Sequence, residues 1–80
     1  MSKKVKVSRK PESNIILNIE DFGKYLKFKR TSQNLSLEET AQLCNISAIT
    51  LMRLEKGSQG VRLSTALNVA KMFGLKLRLE

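Results

Sequence analysis

In the stretch LSLEETAQLCNISAITLMRLEKG, residues 35–57, two short helical patterns follow one another with almost nothing between them. The second turns Ala48, Thr50 and Arg53 to the side away from Leu51 and Leu54. A hydroxyl and a guanidinium on an outward face offer hydrogen bonds to a partner. They offer no nucleophile–base pair. The rest of the chain supplies none either. It has no histidine, which removes His-based triads, the usual general base and most zinc sites. Its seven carboxylates are Glu12, Glu20, Asp21, Glu38, Glu39, Glu55 and Glu80, and each has a plainer role than acid–base chemistry. No glycine-rich phosphate loop is present. The chain is therefore not expected to be an enzyme or to hold a metal or cofactor.

Charge points to the kind of partner. Fifteen Lys and Arg against seven Asp and Glu leave a net charge of +8 in 80 residues. Five of the cations, Lys3, Lys4, Lys6, Arg9 and Lys10, fall in the first ten residues without an acid among them. The remaining seventy residues carry ten basic and seven acidic side chains, a net of +3. A basic arm on a mildly basic body suits a polyanion. The plainer alternative for the arm is a solubilising tail. Cys44, the single cysteine, lies in an apolar helical pattern and reads as a small core residue. No apolar run has the length of a membrane span, and the basic start leads into no signal-peptide pattern. A cytoplasmic protein with no membrane partner is expected.

The elements that must carry the outward face follow from local signals. Residues 1–14 form a polar, basic arm broken by Pro11, expected to hold little fixed structure; Val5 and Val7 alternate with lysines as a weak strand pattern. Asn18 is a good N-cap, with Glu20 and Asp21 in the next turn, so the first helix should run from Ile19 to Ser32 with Phe22 and Leu26 inward. Ser36 and Glu39 form a capping box for a second helix, Leu37 to Cys44, with Leu37, Ala41 and Cys44 inward. Asn45 ends it, since Asn tolerates the left-handed backbone of a tight turn. Ile46 drops into the core, Ser47 caps a third helix from Ala48 to Lys56, and Gly57 closes it. A fourth helix, Leu63 to Phe73, should bury most of Leu63, Ala66, Leu67, Val69, Ala70 and Phe73 before Gly74. The ending LKLRLE alternates Leu75, Leu77 and Leu79 with Lys76, Arg78 and Glu80 and reads as a short strand over 75–80.

Two helices joined by a turn of three or four residues make a helix-turn-helix, in which the first braces the second at a steep angle. From about Asp21 to Leu75 the chain resembles the XRE helix-turn-helix class, the fold of the lambdoid phage repressors. The resemblance rests on Arg30; Ser36, Glu39 and Ala41; Ser47; Leu54-Glu55-Lys56-Gly57; and Ala70, Phe73, Gly74 and Leu75, in order and spacing. The LKLRLE ending resembles the HipB-type antitoxins. Together these imply an all-α, lambda-repressor-like bundle of four main helices over residues 15–74. A C-terminal strand would pair across a homodimer, or else inside the chain with Ile15–Leu17 or Val5–Val7. They also imply a structural ion pair between Arg30 and Glu55, the plainer alternative being two solvated charges.

The resemblance further implies that the third helix enters the major groove, presenting Ser47, Ala48, Ile49, Thr50 and Arg53 to base edges. Arg53 has the sharpest role, gripping guanine O6 and N7 or else a phosphate. Thr50 bonds a base or a phosphate. Ala48 and Ile49 meet at most thymine methyls, with partial burial of Ile49 against the second helix as the alternative. Phosphate contacts are expected from Arg30, Ser36, Lys56 and Arg62, and from Lys3, Lys4, Lys6, Arg9 and Lys10 of the arm. The chain departs from the phage repressors at Leu37 and Ala48, where glutamine is usual. It departs also at Thr40, where an aliphatic residue is usual, and at Arg62, where a Ser or Thr cap is common. These departures leave the fold expectation intact but carry over no operator sequence. The function implied is an autoregulating antitoxin that binds double-stranded DNA as a homodimer and also a HipA-like kinase toxin. The alternatives are a stand-alone regulator and a protein–protein adaptor.

Overall fold

The structure, a computed structural model, describes residues 5–79. Four helices run in order: α1 Ile19–Ser32, α2 Leu37–Cys44, α3 Ala48–Glu55 and α4 Leu63–Met72. Three are started by their own side chains. The Asn18 side chain accepts the Asp21 N–H at 2.8 Å, and Glu20 and Asp21 sit at the positive end of α1. At α2 both arms of the capping box close: the Glu39 N–H donates to Ser36 Oγ at 3.1 Å and the Ser36 N–H to Glu39 Oε1 at 2.8 Å. At α3 the Thr50 N–H donates to Ser47 Oγ at 3.0 Å. Arg62 precedes α4 and gives no side-chain cap, as its replacement of the usual Ser or Thr implies.

All four helices stop in one way. Asn34, Asn45, Gly57 and Gly74 take positive φ of 58°, 58°, 72° and 75°. The residue after each then donates its N–H to the carbonyl five back: Leu35 to Arg30, Ile46 to Ala41, Ser58 to Arg53 and Leu75 to Ala70, at 2.9–3.2 Å. This left-handed close satisfies carbonyls that a bare helix end would leave unpaired. It also ends α3 and α4 one residue short of the Lys56 and Phe73 expected, each of which becomes the cap.

The core gathers Leu26 from α1, Ala41 and Cys44 from α2, Leu51 and Leu54 from α3, and Ala66, Val69 and Ala70 with Phe73 from α4. Ile46 packs against it from the turn, as expected. Burial pushes the Cys44 thiol pKa up, which keeps the group neutral, as suits a small core residue. Helix α3 packs against both α1 and α2, and α2 against α4. The α1–α3 approach is close enough to require glycine. A Cβ on Gly23 would run into the backbone carbonyl oxygens of Leu54 and Glu55.

Three expectations need correction. Leu63 and Leu67 are 69% and 39% exposed. Ala66, Val69, Ala70 and Phe73 fill the core side of α4, and the two leucines fall on its flank. No strand forms among the described residues. Leu75 packs on the core, but Leu77 and Leu79 are 55% and 103% exposed. No ladder forms with Ile15–Leu17 or Val5–Val7, although Ile16 lines one cleft with Leu75, Lys76 and Leu77. Glu80 lies outside the described residues. Finally, the described part of the arm, although without regular secondary structure, is tied to α1. The Val5 N–H donates to Asn34 Oδ1 at 2.7 Å and the Ser8 N–H to Thr31 Oγ1 at 2.9 Å.

Candidate nucleic-acid interface

Helix α3 has two unlike sides. Leu51 and Leu54 are 1% and 0% exposed and Glu55 is buried beside them. One hundred degrees per residue puts Ile49, Arg53 and Lys56, spaced i, i+4 and i+7, on the opposite side. All three are exposed. The turn before α3 is only Asn45, Ile46 and Ser47, so α2 fixes the rod's direction closely.

The first turn of α3 is pre-oriented. The Ser47 hydroxyl accepts the Thr50 N–H and donates to Thr50 Oγ1 at 2.8 Å. With its oxygen supplied by Ser47, the half-buried Thr50 hydroxyl has its own proton to donate outward. Ile49 is 60% exposed, so burial against α2 is not what the structure shows. Ala48 is half-buried and touches the core, which leaves its methyl edge alone for a partner. Arg53, exposed and late in the helix, combines reach with a planar donor fork able to hold a guanine edge or a phosphate. Met52 is 36% exposed at the margin of this face, and the signal that identifies it is its place next to Lys56 on the helical wheel, at the edge of the outward stripe.

Arg30 belongs to the scaffold. Its Nε donates to Glu55 Oε2 at 2.6 Å, its Nη2 to Glu55 Oε1 at 3.0 Å and its Nη1 to the Leu35 carbonyl at 2.8 Å. Arg30 is 5% exposed and Glu55 8%. The two-pronged pair ties the end of α1 to the end of α3, and the third bond ties both to the turn before α2. The ion pair is formed and buried rather than solvated. A phosphate contact by Arg30 is corrected by the same geometry, since the guanidinium is covered and its three nitrogens are committed.

The other expected phosphate groups are spread around α3. Ser36 caps α2, and Lys56 and Arg62 are exposed at the two sides of the α3–α4 loop. Lys6, Arg9 and Lys10 are exposed along the arm, with Arg9 3.6 Å from Glu12. Lys3 and Lys4 lie outside the described residues. Thr31 and Asn34, which hold the arm, were not read from sequence. Their only local signal is two polar residues at a helix end, where a cap is the ordinary use. Among the described residues no group of three His, Cys, Asp or Glu side chains could hold a metal. No helix among them is long and apolar enough to cross a membrane.

Comparison with known proteins agrees with this arrangement. Residues 26–79 match the family described as Helix-turn-helix, a span that contains the second half of α1 and all of α2, α3 and α4. The chain is also 36% identical over 52 residues to a Methanocaldococcus jannaschii protein described as an uncharacterized HTH-type transcriptional regulator. That similarity covers 65% of this chain and 79% of the relative. With a short-turned α2–α3 pair, an outward stripe on α3 and a family match across more than half of its length, the chain belongs to the helix-turn-helix family.

Proposed function

We propose that this chain is a sequence-specific transcriptional repressor that binds duplex DNA through α3, and that it acts as a homodimeric, autoregulating antitoxin of the HipB type. The family and the named relative support the coarser reading, a DNA-binding transcriptional regulator. The observation that carries it is the Ile49–Arg53–Lys56 stripe, exposed on a helix whose back is sealed by Leu51 and Leu54. In this reading Arg53 holds a guanine by two hydrogen bonds and Thr50 donates to a base or phosphate. Ile49 and the edge of Ala48 meet thymine methyls, and Ser47 orients Thr50. Ser36, Lys56 and Arg62 hold phosphates around the groove.

The dimer finds support in the C-terminal segment. Leu77 and Leu79 stand in solvent with an alternating pattern between them, and pairing with the same segment of a second copy would cover both and supply a ladder. Two recognition helices related by a twofold axis would then read half-sites about 34 Å apart. The antitoxin level rests on the likeness of LKLRLE to HipB-type endings, and implies a HipA-like kinase as second partner.

The test is a footprint and mobility shift on the DNA upstream of the gene, together with copurification of the neighbouring gene's product. A protected two-fold site and a kinase-like copurifying protein support the full reading. Protection without such a partner leaves a stand-alone regulator. No protection at any duplex, with the fold intact, would make the chain a protein–protein adaptor and end the DNA reading.

A further inference from the structure

We propose that the N-terminal segment is a latched basic strap, positioned by Thr31 and Asn34, that adds a fixed phosphate-binding track along α1, leading away from the N-terminus of α2; this rests on the DNA-binding reading above. The latch is specific in its atoms. The Thr31 hydroxyl donates back to the Lys27 carbonyl at 2.8 Å. Its proton spent inside the helix, its lone pairs face outward and accept the Ser8 N–H at 2.9 Å. Thr31 is only 3% exposed, so the strap covers it. Three residues before Ser8, the Val5 N–H donates at 2.7 Å to the side chain of Asn34, which holds a left-handed conformation.

Position then gives the strap its purpose. Asn34 lies in the turn between α1 and α2, three residues before the first residue of α2. In a helix-turn-helix the first helix of the pair crosses the DNA backbone, and its N-terminus offers unpaired N–H groups to phosphates. The Val5–Asn34 bond therefore ties the strap within one hydrogen bond of the segment that delivers that N-terminus. From there the strap runs antiparallel to α1. The cleft between them is lined by Arg9, Lys10, Lys24 and Lys27 together with Glu12 and Asp21. Both carboxylates are engaged: Glu12 with Arg9, and Asp21 Oδ2 with the Leu17 N–H at 3.2 Å. With Arg9 paired to Glu12 and Asp21 still charged, these four cations and two carboxylates leave a net charge of +2, its cations being the exposed Lys10 of the strap and Lys24 and Lys27 of α1, on a line that continues away from the α2 cap. Its partner is a phosphodiester backbone, which carries one charge per about 3.4 Å of axis on each strand.

The experiment measures DNA affinity against salt for the unaltered chain, five variants and Arg53→Ala, beside amide exchange at Ser8. Removing three strap cations together (Lys6→Ala, Arg9→Ala, Lys10→Ala) should reduce the slope of log affinity on log salt by about 2 to 3. Thr31→Val keeps the shape and removes the acceptor. It should release Ser8 exchange and weaken binding by about 3- to 10-fold, the loss of a preorganised strap. Thr31→Ser, which keeps the hydroxyl, should restore both. Thr31→Val added to the three strap substitutions should cost little more than those substitutions alone. Asn34→Gly, which keeps the left-handed turn but removes the acceptor for Val5, should act in the same direction as Thr31→Val. The strap is overturned if the triple variant keeps the wild-type affinity and salt slope while Arg53→Ala still impairs binding; α3 then stands as the interface without it. If the unaltered chain binds no duplex DNA, both the interface and the strap fall, even with Ser8 protected.

Discussion

The α1–α3 seam and the outer face of α3 lie on two sides of one eight-residue helix, and they use arginine in opposite ways. In the seam, Arg30 is covered and every prong has a partner in the chain: two on Glu55 and one on the Leu35 carbonyl. On the outer face, Arg53 reaches into solvent. A buried pair contributes less to net stability than to fixing geometry, because desolvating two charges offsets most of their attraction. In this chain it locks the angle at which α3 leaves the domain. An exposed guanidinium contributes almost nothing to folding and keeps its donors for a partner. The seam therefore holds the rod and the outer face uses it, and the two should respond to mutation in different assays.

The largest effect is expected from Gly23→Ala. The added Cβ would meet two backbone carbonyl oxygens, which cannot swing aside, so α1 and α3 must separate. A loss of about 4 kcal/mol or more, read by denaturant unfolding, marks the seam as tightly closed. A loss below about 1 kcal/mol would break the comparison at its rigid side. Glu55→Ala leaves Arg30 buried without its counter-charge and should cost about 3–5 kcal/mol in the same assay.

Arg53→Ala sharpens the other side. Stability should stay within about 0.5 kcal/mol of wild type, while affinity for the preferred operator falls by about 1–3 kcal/mol. An equal fall on every duplex would assign Arg53 to a phosphate instead of a base. The smallest expected change is a gain. Thr40 is fully buried, and its hydroxyl has no hydrogen-bond partner among the described residues. Thr40→Val removes the orphan at nearly constant volume and should raise stability by about 1 kcal/mol, visible as a higher melting temperature.

The helices were legible from sequence because their punctuation is local. Asn18, Ser36 and Ser47 act within three residues of themselves, and Asn45, Gly57 and Gly74 end their helices through a single backbone angle. The outward placing of Ile49 and Arg53 was legible for the same reason, since Leu51 and Leu54 fix the inside, whereas Ala48 and Thr50, expected outward, are half-buried at the sides. The misread parts depend on what is distant. Leu63 and Leu67 fit a helical apolar pattern, yet only the packing of α4 on α2 decides which flank is covered. The alternation of LKLRLE is a strand pattern that needs a hydrogen-bonded partner strand, and the segment around Ile16 beside it forms no ladder with it. The arm's latch joins residues 23 and 29 positions apart, beyond anything a local pattern encodes. Gly23 did carry a signal, because glycine inside a helix costs about 1 kcal/mol and implies a close approach.

The most direct test of the interface is to follow backbone amide resonances of the isotope-labelled chain as its operator duplex is added. Ile49, Thr50, Arg53 and Lys56 should shift most, with the N-terminal turn of α2 next, while Leu26 and Val69 stay close to their free positions. Shifts centred on Leu63, Leu67 and Leu77, with the α3 amides unmoved, would contradict it.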